Sequence, residues 1–263
     1  MNSLKPPIIF EWHTQLKSAV ADLNVECHFF LEGEFNLLSI HNQSVVIHLV
    51  NIDNTFTPSQ LIDLQQSYLI KGIKLIHLWE DVWFNNSNQV LGRIASILGL
   101  NKRIHGRKTI VQKIDKSIAQ TFLNENHLQG FVSSRHKFGL FEKDKLVAVG
   151  TFSALRKMNY EENYKSAELI RFAVKSGYSV IGGLSKVITH FSALYNPDYI
   201  MTYADRDWSA GEVYQKLNFI QTDLLNPQFF TLDINLNRII IKENSLSSAA
   251  VFNTGSLKYI LKF

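Results

Sequence analysis

The segment ELIRFAVKSGYSVIGGLSKVITHF, residues 168–191, constrains the fold more than any other part of the sequence. An apolar, strand-like run leads into two adjacent glycines, Gly182 and Gly183, that open a helix. Glycine lets a backbone approach a ligand closely, and the first free N–H groups of a helix point outward. Aided by the helix dipole, such amides bind phosphate or pyrophosphate. Close helix–strand packing explains a Gly-Gly pair equally well, so the order strand, turn, helix is the firmer prediction.

If the turn binds a phosphate, neighbouring residues supply the remaining contacts. The Ser185 hydroxyl and the Lys186 ammonium would add hydrogen-bond donors. The predicted phosphate-ligand residues are Val180, Ile181, Gly182, Gly183, Ser185 and Lys186.

A second segment, YADRDWSAGEVYQKLNF at residues 203–219, follows the next predicted strand. Asp205 lies just past the strand end, where ligand sites collect in open α/β sheets. Tyr214 lies on the following short helix, where a tyrosine can act as a general acid. The structural alternative is that Asp205 caps the helix and Tyr214 packs in the core.

The element order predicts an α/β protein of more than one domain. Residues 1–104 read as strands followed by helix, strand and helix, a smaller α/β domain. Residues 105–234 read as helix, hairpin, strand, Gly-rich helix, strand, short helix and strand, a mixed-sheet domain. Residues 235–263 alternate apolar and polar residues and predict a β-rich extension.

The two segments in this order resemble the GCN5-related N-acetyltransferase (GNAT) fold, with its pyrophosphate loop and helix-borne tyrosine. The motifs NENHLQG, LIRF, VIGGLSK and YADRDWS together resemble, more narrowly, a phage-associated family grouped with Mom-type DNA modification proteins. The resemblance covers about half the sequence. It implies a transferase that uses acetyl-CoA or another acyl-CoA and acts on, or near, DNA. VIGGLSK has adjacent glycines where the acetyltransferase loop has spaced ones, which leaves another phosphate-bearing ligand open.

The same resemblance implies roles for individual residues. Arg171, Asp205 and Tyr214 match positions with a catalytic role. The residues implied to line the acceptor cleft are His127, Gln129, Arg206, Trp208 and Ser209.

The N-terminal segments SVVIHLVNID and GIKLIHLWEDVW resemble the core of very-short-patch-repair-type endonucleases of the PD-(D/E)xK class. That chemistry needs carboxylates at adjacent strand ends to hold Mg²⁺ and activate water. His48 stands where the first strand should carry an acid, and Glu80 and Asp81 follow the second strand. We therefore expect a degenerate nuclease domain and no metal site.

Charge and composition limit the kinds of binding partner and the cellular compartment that the sequence suggests. The first 108 residues balance their charges, so the later part carries the whole net charge of +4. The basic stretch Lys102, Arg103, Arg107 and Lys108 is a candidate phosphate-neutralising surface for DNA, or a solvated linker. One cysteine excludes an internal disulfide and favours a reducing cytoplasm. No apolar run is long enough to cross a membrane.

Three hypotheses follow: an acyl-CoA-dependent transferase acting on DNA or a nucleobase, a Mg²⁺-dependent endonuclease, and a non-catalytic DNA-binding accessory protein. The sequence leaves the acyl group, the acceptor and the oligomeric state open.

Overall fold

The computed structural model describes residues 8–41, 43–157, 164–241 and 250–263. Within these residues the chain forms two compact units, each assembled from separate segments. Unit 1 comprises Met1–Ser87, Ala204–Ala210 and Leu224–Ser256, and unit 2 comprises Asn88–Tyr203, Gly211–Asp223 and Leu257–Phe263. This division differs from the predicted boundaries at 104 and 234, because segments distant in sequence join one core.

The helices and strands have the following bounds. The helices are α1 (Glu11–Ala21), α2 (Pro58–Ile70), α3 (Glu80–Ile97), α4 (Lys116–Asn126), α5 (Gly183–Tyr195) and α6 (Glu212–Gln215). The first nine strands are β1 (Cys27–Glu32), β2 (Phe35–Ile40), β3 (Val45–Val50), β4 (Lys74–Trp79), β5 (Lys102–His105), β6 (Ile110–Lys113), β7 (His136–Glu142), β8 (Lys145–Phe152) and β9 (Arg156–Lys157). The later strands are β10 (Lys165–Val174), β11 (Tyr178–Ile181), β12 (Tyr199–Asp205), β13 (Ile220–Leu225), β14 (Phe229–Leu232), β15 (Arg238–Ile240), β16 (Val251–Phe252) and β17 (Ser256–Lys262).

Unit 1 contains a four-stranded sheet in the order β1-β2-β3-β4. The first two pairings are antiparallel, and β3 pairs with β4 in parallel across the α2 crossover. The predicted order of strands, helix, strand and helix is confirmed. A smaller sheet, β15-β14-β16, also belongs to this unit. Of the predicted extension 235–263, residues 242–249 lie outside the described part of the chain.

The N-terminus of α2 follows directly from the sequence. Thr57 caps the helix by accepting the Gln60 N–H, and Pro58 occupies the first turn. Gly72, just after the helix, has a φ of +72°, a value that glycine adopts without steric cost. Leu61, Leu64 and Tyr68 share one face of α2 and are buried, which holds the helix to the sheet.

Three histidines are buried in unit 1, His13, His48 and His77, and the last two form a pair. His48 on β3 and His77 on β4 face each other in register, with their Nδ1 atoms 3.0 Å apart. One Nδ1 must donate and the other accept, so the two rings cannot both be charged. Burial lowers the pKa of His77 to about 3 and that of His48 well below its usual value.

This pair predicts acid lability of unit 1. Unfolded imidazoles bind protons below about pH 6.5, whereas the folded pair resists protonation, so stability falls as pH drops from 6.5 towards 3. We expect a loss of about 2 kcal/mol per imidazole between pH 7.5 and 5. All four tryptophans lie in unit 1, so urea unfolding followed by their fluorescence reports this unit.

Replacing a member of the pair should reduce that pH dependence. His77→Gln removes one of the three buried imidazoles with a lowered pKa, whereas His28→Gln removes an exposed imidazole and should leave the slope unchanged. The raised pKa of Asp207 in unit 1 acts in the opposite direction but is common to all variants. An identical pH dependence in His77→Gln and in the native protein would therefore contradict the assignment.

Unit 2 contains a mixed sheet in the order β13-β17-β12-β10-β8-β7-β6, with β9 pairing to β10. β10 pairs in antiparallel fashion with β8 and in parallel with β12. Helix α5 packs against this sheet: Phe191 stacks on Phe152 with ring centroids 4.0 Å apart, and Val187 is fully buried. The predicted mixed-sheet α/β class is therefore confirmed.

The structure departs from the local sequence pattern at three places. Glu80 and Asp81 follow β4 directly and begin α3, although Asn86 interrupts this helix with φ −139°. Tyr178–Ile181, between the apolar run and Gly182, is the strand β11. The basic stretch from Lys102 is not a linker, because it begins with β5, which pairs in parallel with β11, while its charged side chains are exposed. No helix among the described residues combines the length and apolar character needed to cross a bilayer.

Candidate active site

β10 and β12 pair over only three residues, Ser166–Glu168 with Tyr199–Met201. Both strands continue, and β10 stays bonded to β8 on its other side. Beyond Glu168, the β12-facing edge of β10 has no ladder partner among the described strands. Thr202 Oγ donates to the Leu169 carbonyl at 3.0 Å at the point where the ladder ends. An unpaired strand edge is a place where an extended ligand can form backbone hydrogen bonds.

A β-bulge lies at the start of this unpaired edge. The register between β10 and β8 shifts between Leu169 and Arg171, which leaves Ile170 out of the ladder. A bulge bends its strand and re-aims the neighbouring side chains, and bulges are over-represented next to active sites. The bulge therefore marks the centre of the candidate site.

The two glycines at the start of α5 are required by the structure for different reasons. Gly182 is the N-cap with φ +74° and ψ 7°, and a Cβ built there meets no atom within 4 Å. Gly183 is buried, and a Cβ there would lie 2.8 Å from Val180 Cγ1. Gly182 thus forms an open, exposed turn, while Gly183 serves close packing. The close-packing explanation therefore holds for Gly183, and phosphate binding at Gly182 stays a prediction.

The open turn leaves amide donors at the start of α5. The first helical hydrogen bond runs from the Lys186 N–H to the Gly182 carbonyl at 3.0 Å. The N–H groups of Gly183, Leu184 and Ser185 consequently have no acceptor within the helix. Of the other predicted ligand residues, Ile181 is exposed and Val180 is half-buried. This geometry suits an anion at the turn.

Alanine substitutions should separate the two glycines. Gly183→Ala forces a contact with Val180, so we expect a loss of about 1–3 kcal/mol of stability. Gly182→Ala meets no neighbour and costs only the left-handed backbone, about 1–2 kcal/mol. Thermal unfolding of unit 2, followed by amide NMR signals, measures both. Equal losses accompanied by a repacked Val180 in Gly182→Ala would contradict this division of roles.

Strand β5 brings basic residues beside the open turn. Its parallel pairing with β11 aligns Arg103 with Ser179 and His105 with Ile181. In the 3₁₀ turn that follows, Gly106–Lys108, a Cβ on Gly106 would lie 2.9 Å from the Ile181 carbonyl. The predicted nucleic-acid residues Lys102, Arg103, Arg107 and Lys108 are all exposed. They belong to the segment that pairs with β11, the strand that leads into the α5 turn.

Lys186 is held by two backbone carbonyls. Its ammonium donates to the Gly106 carbonyl at 3.0 Å and also to the Thr109 carbonyl. These bonds tie α5 to the 3₁₀ turn and hold the basic segment in place. They use two of the three donors of the ammonium, and the predicted donations from Lys186 and Ser185 to a phosphate stay predictions.

Arg171 binds the loop that follows α4. Its Nε donates to the Gly130 carbonyl at 3.2 Å, and its Nη1 donates to the Ile170 carbonyl at 2.9 Å. The side chain thus links the bulge to the segment HLQG that contains His127 and Gln129. Arg171 is a positioning residue for this loop in the structure, and its predicted catalytic role stays a prediction.

His127 is a neutral hydrogen-bond donor at this place. Burial, followed by the charges of Arg171 and Arg93, lowers the pKa of His127 to about 3. Its Nδ1 accepts the N–H of Gln129 at 3.1 Å, so the ring proton sits on Nε2. A neutral imidazole that is already accepting cannot serve as a base through Nδ1, but it can donate through Nε2.

Tyr214 lies near the end of the β10–β12 ladder. Its hydroxyl oxygen is 3.5 Å from Thr202 Oγ, and its ring packs against Phe219 and Tyr259. Burial raises the pKa of Tyr214, and the charges of Arg93 and Arg171 partly oppose this. The phenol therefore stays protonated at neutral pH, as a general acid requires.

The sequence reasoning missed Arg93 and Thr202. Arg93 lies on α3, and its charge acts on both His127 and Tyr214. Thr202 lies inside a strand and looks like an ordinary β-branched residue. No local motif points to either one, because their relevance comes from long-range folding.

The segment from Asp205 to Ser209 belongs to unit 1, where it has structural contacts. Asp205 Oδ1 accepts the Asp207 N–H at 3.0 Å, and its carbonyl accepts the Ser209 N–H at 2.9 Å. Trp208 is 6% exposed. The Arg206 Nη1 donates to the Thr254 carbonyl at 3.3 Å. The predicted substrate contacts of Arg206, Trp208 and Ser209 stay predictions, as does the catalytic role of Asp205.

Asp207 anchors this segment within unit 1. Its carboxylate accepts the Thr254 hydroxyl at 2.6 Å and the Thr254 N–H at 2.9 Å. Burial and the neighbouring Asp205 charge raise the pKa of Asp207 to about 7. The motif YADRDWS therefore combines a strand end with a buried polar anchor.

The carboxylates considered for a nuclease have structural partners in unit 1. Glu80 accepts the Ile52 N–H at 2.9 Å, and Asp81 forms a bidentate pair with Arg238. Glu32 accepts the Tyr68 hydroxyl, and Glu34 accepts the Gln60 amide at 3.0 Å. No group of three metal-ligating side chains was found among the described residues. The geometry gives the endonuclease hypothesis no support.

No family model and no curated protein sequence matches the chain. Solved structures that resemble part of it are acetyltransferases. A Bacillus subtilis acetyltransferase in complex with CoA is 13% identical, with a TM-score of 0.40, over 59% of this chain and 99% of that one. A GNAT family acetyltransferase from Elizabethkingia anophelis with acetyl-CoA bound is 12% identical, with a TM-score of 0.37 and coverages of 59% and 99%. The ribosomal-protein-S18-alanine N-acetyltransferase from Escherichia coli is 10% identical, with a TM-score of 0.39 and coverages of 59% and 93%. A likeness at this level does not establish function.

Proposed function

We propose that this protein is an acyltransferase that takes its acyl group from acetyl-CoA or another acyl-CoA and transfers it to a nucleophilic acceptor. The observation that carries the proposal is the early end of the β10–β12 ladder beside a bulge at Ile170. Beyond the bulge β12 no longer pairs with β10, and we place an extended donor arm along this part of the strand. The open Gly182 turn lies on the same chain segment and suits the donor phosphates.

Phosphate binding at the turn has two components. The amides of Gly183, Leu184 and Ser185 supply directed hydrogen bonds, helped by the positive end of the α5 dipole. Exposed cations on β5 and the following turn, among them Arg103 and Arg107, add a favourable field. The residues present therefore fit a pyrophosphate group.

In the transfer step, the acceptor nucleophile forms a bond to the thioester carbon, and the carbon–sulfur bond breaks. The leaving thiolate takes the proton of the Tyr214 hydroxyl, which the raised pKa keeps available. His127 can donate its Nε2 proton in a hydrogen bond to a carbonyl oxygen of a substrate. Removal of the acceptor proton by Asp205 stays a prediction.

Arg171 supports this arrangement by fixing the loop. Because it bonds both Gly130 and Ile170, the loop that carries His127 is held at the bulge. Such positioning lets proximity contribute to the rate.

The narrower Mom-type proposal, modification of a nucleobase in DNA, stays a prediction. The basic residues Lys102 to Lys108 are compatible with DNA, but their position beside the Gly182 turn favours a role with the donor phosphates. The non-catalytic accessory hypothesis shares this surface with the transferase, and only donor binding separates the two.

Calorimetry with acetyl-CoA tests the proposal. We expect one molecule to bind per chain, with affinity falling as salt rises. The double variant Arg107→Gln, Lys108→Gln removes two exposed charges and should weaken binding about tenfold. The control Lys145→Gln removes an exposed charge from β8 and should change nothing. No heat with any acyl-CoA, on protein with native fluorescence, would remove the proposed function.

A further inference from the structure

A shallow cavity of about 450 Å³, broadly open to solvent, lies in unit 2 beside the bulge. Its volume is within the range of small-molecule sites. It is lined by Ser133, Ser134, Arg135, Ser153, Arg156 and Ile170. Because Ile170 is the bulge residue itself, the cavity reaches the point where the proposed acyl transfer occurs.

The lining is polar and positively charged. Arg135 and Arg156 are exposed, and neither forms an ion pair with a carboxylate in the part of the chain that the structure describes. The Ser134 hydroxyl oxygen is buried without a hydrogen-bond partner in the same described part. Ser153 Oγ is already engaged, since it accepts the Glu168 N–H at 2.9 Å and donates to the Ala154 carbonyl. A ligand with acceptor oxygens would satisfy Ser134 and both guanidinium groups.

More cations lie next to Arg135. The pKa of Lys137 is lowered first by burial and then by the charges of Lys116, Arg135 and Lys113. Burial, followed by the charges of Arg135, Lys113 and Lys137, lowers the pKa of His136. These shared effects show that positive charge accumulates at this end of the sheet.

The Arg156 side of the cavity is more balanced. Glu168, Asp223 and Arg156 all act on Tyr203, so two carboxylates lie in this neighbourhood. Neither carboxylate lines the cavity. The lining residues therefore present two positive charges and no negative one.

We propose that this cavity binds an oxyanionic group, a phosphate or a carboxylate, carried by the acyl acceptor. That the bound group belongs to an acyl acceptor rests on the proposed function, whereas the oxyanion site itself rests only on the residues of the cavity. The planar, forked guanidinium groups of Arg135 and Arg156 match the oxygen pairs of either group, and Ser134 adds a directed donor. The site thus selects acidic acceptors over neutral ones.

Amide NMR on the full-length protein tests this site. Inorganic phosphate and acetate are titrated separately, with chloride at matched ionic strength as reference and CoA present to fill the Gly182 turn. We expect saturable shifts at the amides of 133–135 and 153–156. The double variant Arg135→Gln, Arg156→Gln should weaken the effect at least about tenfold, and Lys145→Gln should leave it unchanged. The anion that binds more tightly identifies the group.

The outcomes separate this inference from the proposed function. Shifts that match those of chloride, or that persist in the double variant, would overturn the oxyanion site even if CoA binds. If CoA does not bind, the titration is run without it. Saturable shifts at 133–135 would then support the oxyanion site while the transferase proposal fails.

Discussion

Tyr214→Phe is expected to lower the turnover number for acyl transfer by about 10² or more while leaving acetyl-CoA affinity unchanged. The substitution removes only the hydroxyl, which lies 3.5 Å from Thr202 Oγ at the end of the β10–β12 ladder. Without it the leaving thiolate must depart unprotonated. The ring should stay packed on Phe219 and Tyr259, so the fold is preserved.

The measurement is release of free CoA thiol in the presence of a panel of amine acceptors, with donor affinity from calorimetry. Tyr203→Phe is the matched control. It removes a hydroxyl from the residue next to Thr202 on β12, and successive side chains of a strand point to opposite faces of the sheet. A loss of less than about tenfold in Tyr214→Phe would show that this phenol is not the general acid.

Arg238→Met is expected to destabilise unit 1 by about 3–5 kcal/mol. Arg238 forms two hydrogen bonds to Asp81, at 2.6 and 2.9 Å, and Asp81 is only 2% exposed. The guanidinium also lies 5.5 Å from the centroid of the Trp79 ring. Removing it leaves a buried carboxylate without its counter-ion, and the desolvation cost of that charge is then uncompensated.

Urea unfolding followed by tryptophan fluorescence measures the effect. Lys71→Met is the control, because Lys71 and Glu32 are both about half exposed and lie 3.9 Å apart. An exposed pair of this kind contributes about 0–1 kcal/mol. If Arg238→Met costs no more than Lys71→Met, the buried pair does not stabilise unit 1 as argued.

Local chemistry allowed much of the fold to be predicted from the sequence. Thr57 and Pro58 predict the start of α2, and two apolar runs separated by a polar turn predict the hairpin of β7 and β8. The order around Gly182 was also predictable, because a left-handed turn before a helix favours glycine. These signals all act within a few residues of one another.

The errors arose where distant segments decide the structure. Tyr178–Ile181 is a strand because β5 pairs with it, and nothing within the segment itself shows this. Asp81 begins a helix and is buried because Arg238, far along the chain, neutralises it. The Lys186 ammonium bonds to the carbonyls of Gly106 and Thr109, which also belong to a segment distant in sequence.

Four of the predicted site residues, Gly182, Arg171, His127 and Tyr214, belong to unit 2, and their roles stay predictions. Asp205 belongs to unit 1. Its neighbour Asp207 holds this segment there, because the Asp207 carboxylate accepts a hydrogen bond from the Thr254 hydroxyl. The cavity at Ser134 had no sequence signal, because its lining comes from separate strands and loops.

The central claim is that the unpaired edge of β10 and the Gly182 turn hold an acyl-CoA. Amide hydrogen exchange, measured with and without acetyl-CoA, tests it most directly. The account predicts slower exchange in peptides that cover Ile170–Val174 and Gly183–Ser185, with little change elsewhere in unit 2. Unchanged exchange in both peptides at saturating acetyl-CoA, or slowing confined to unit 1, would contradict it.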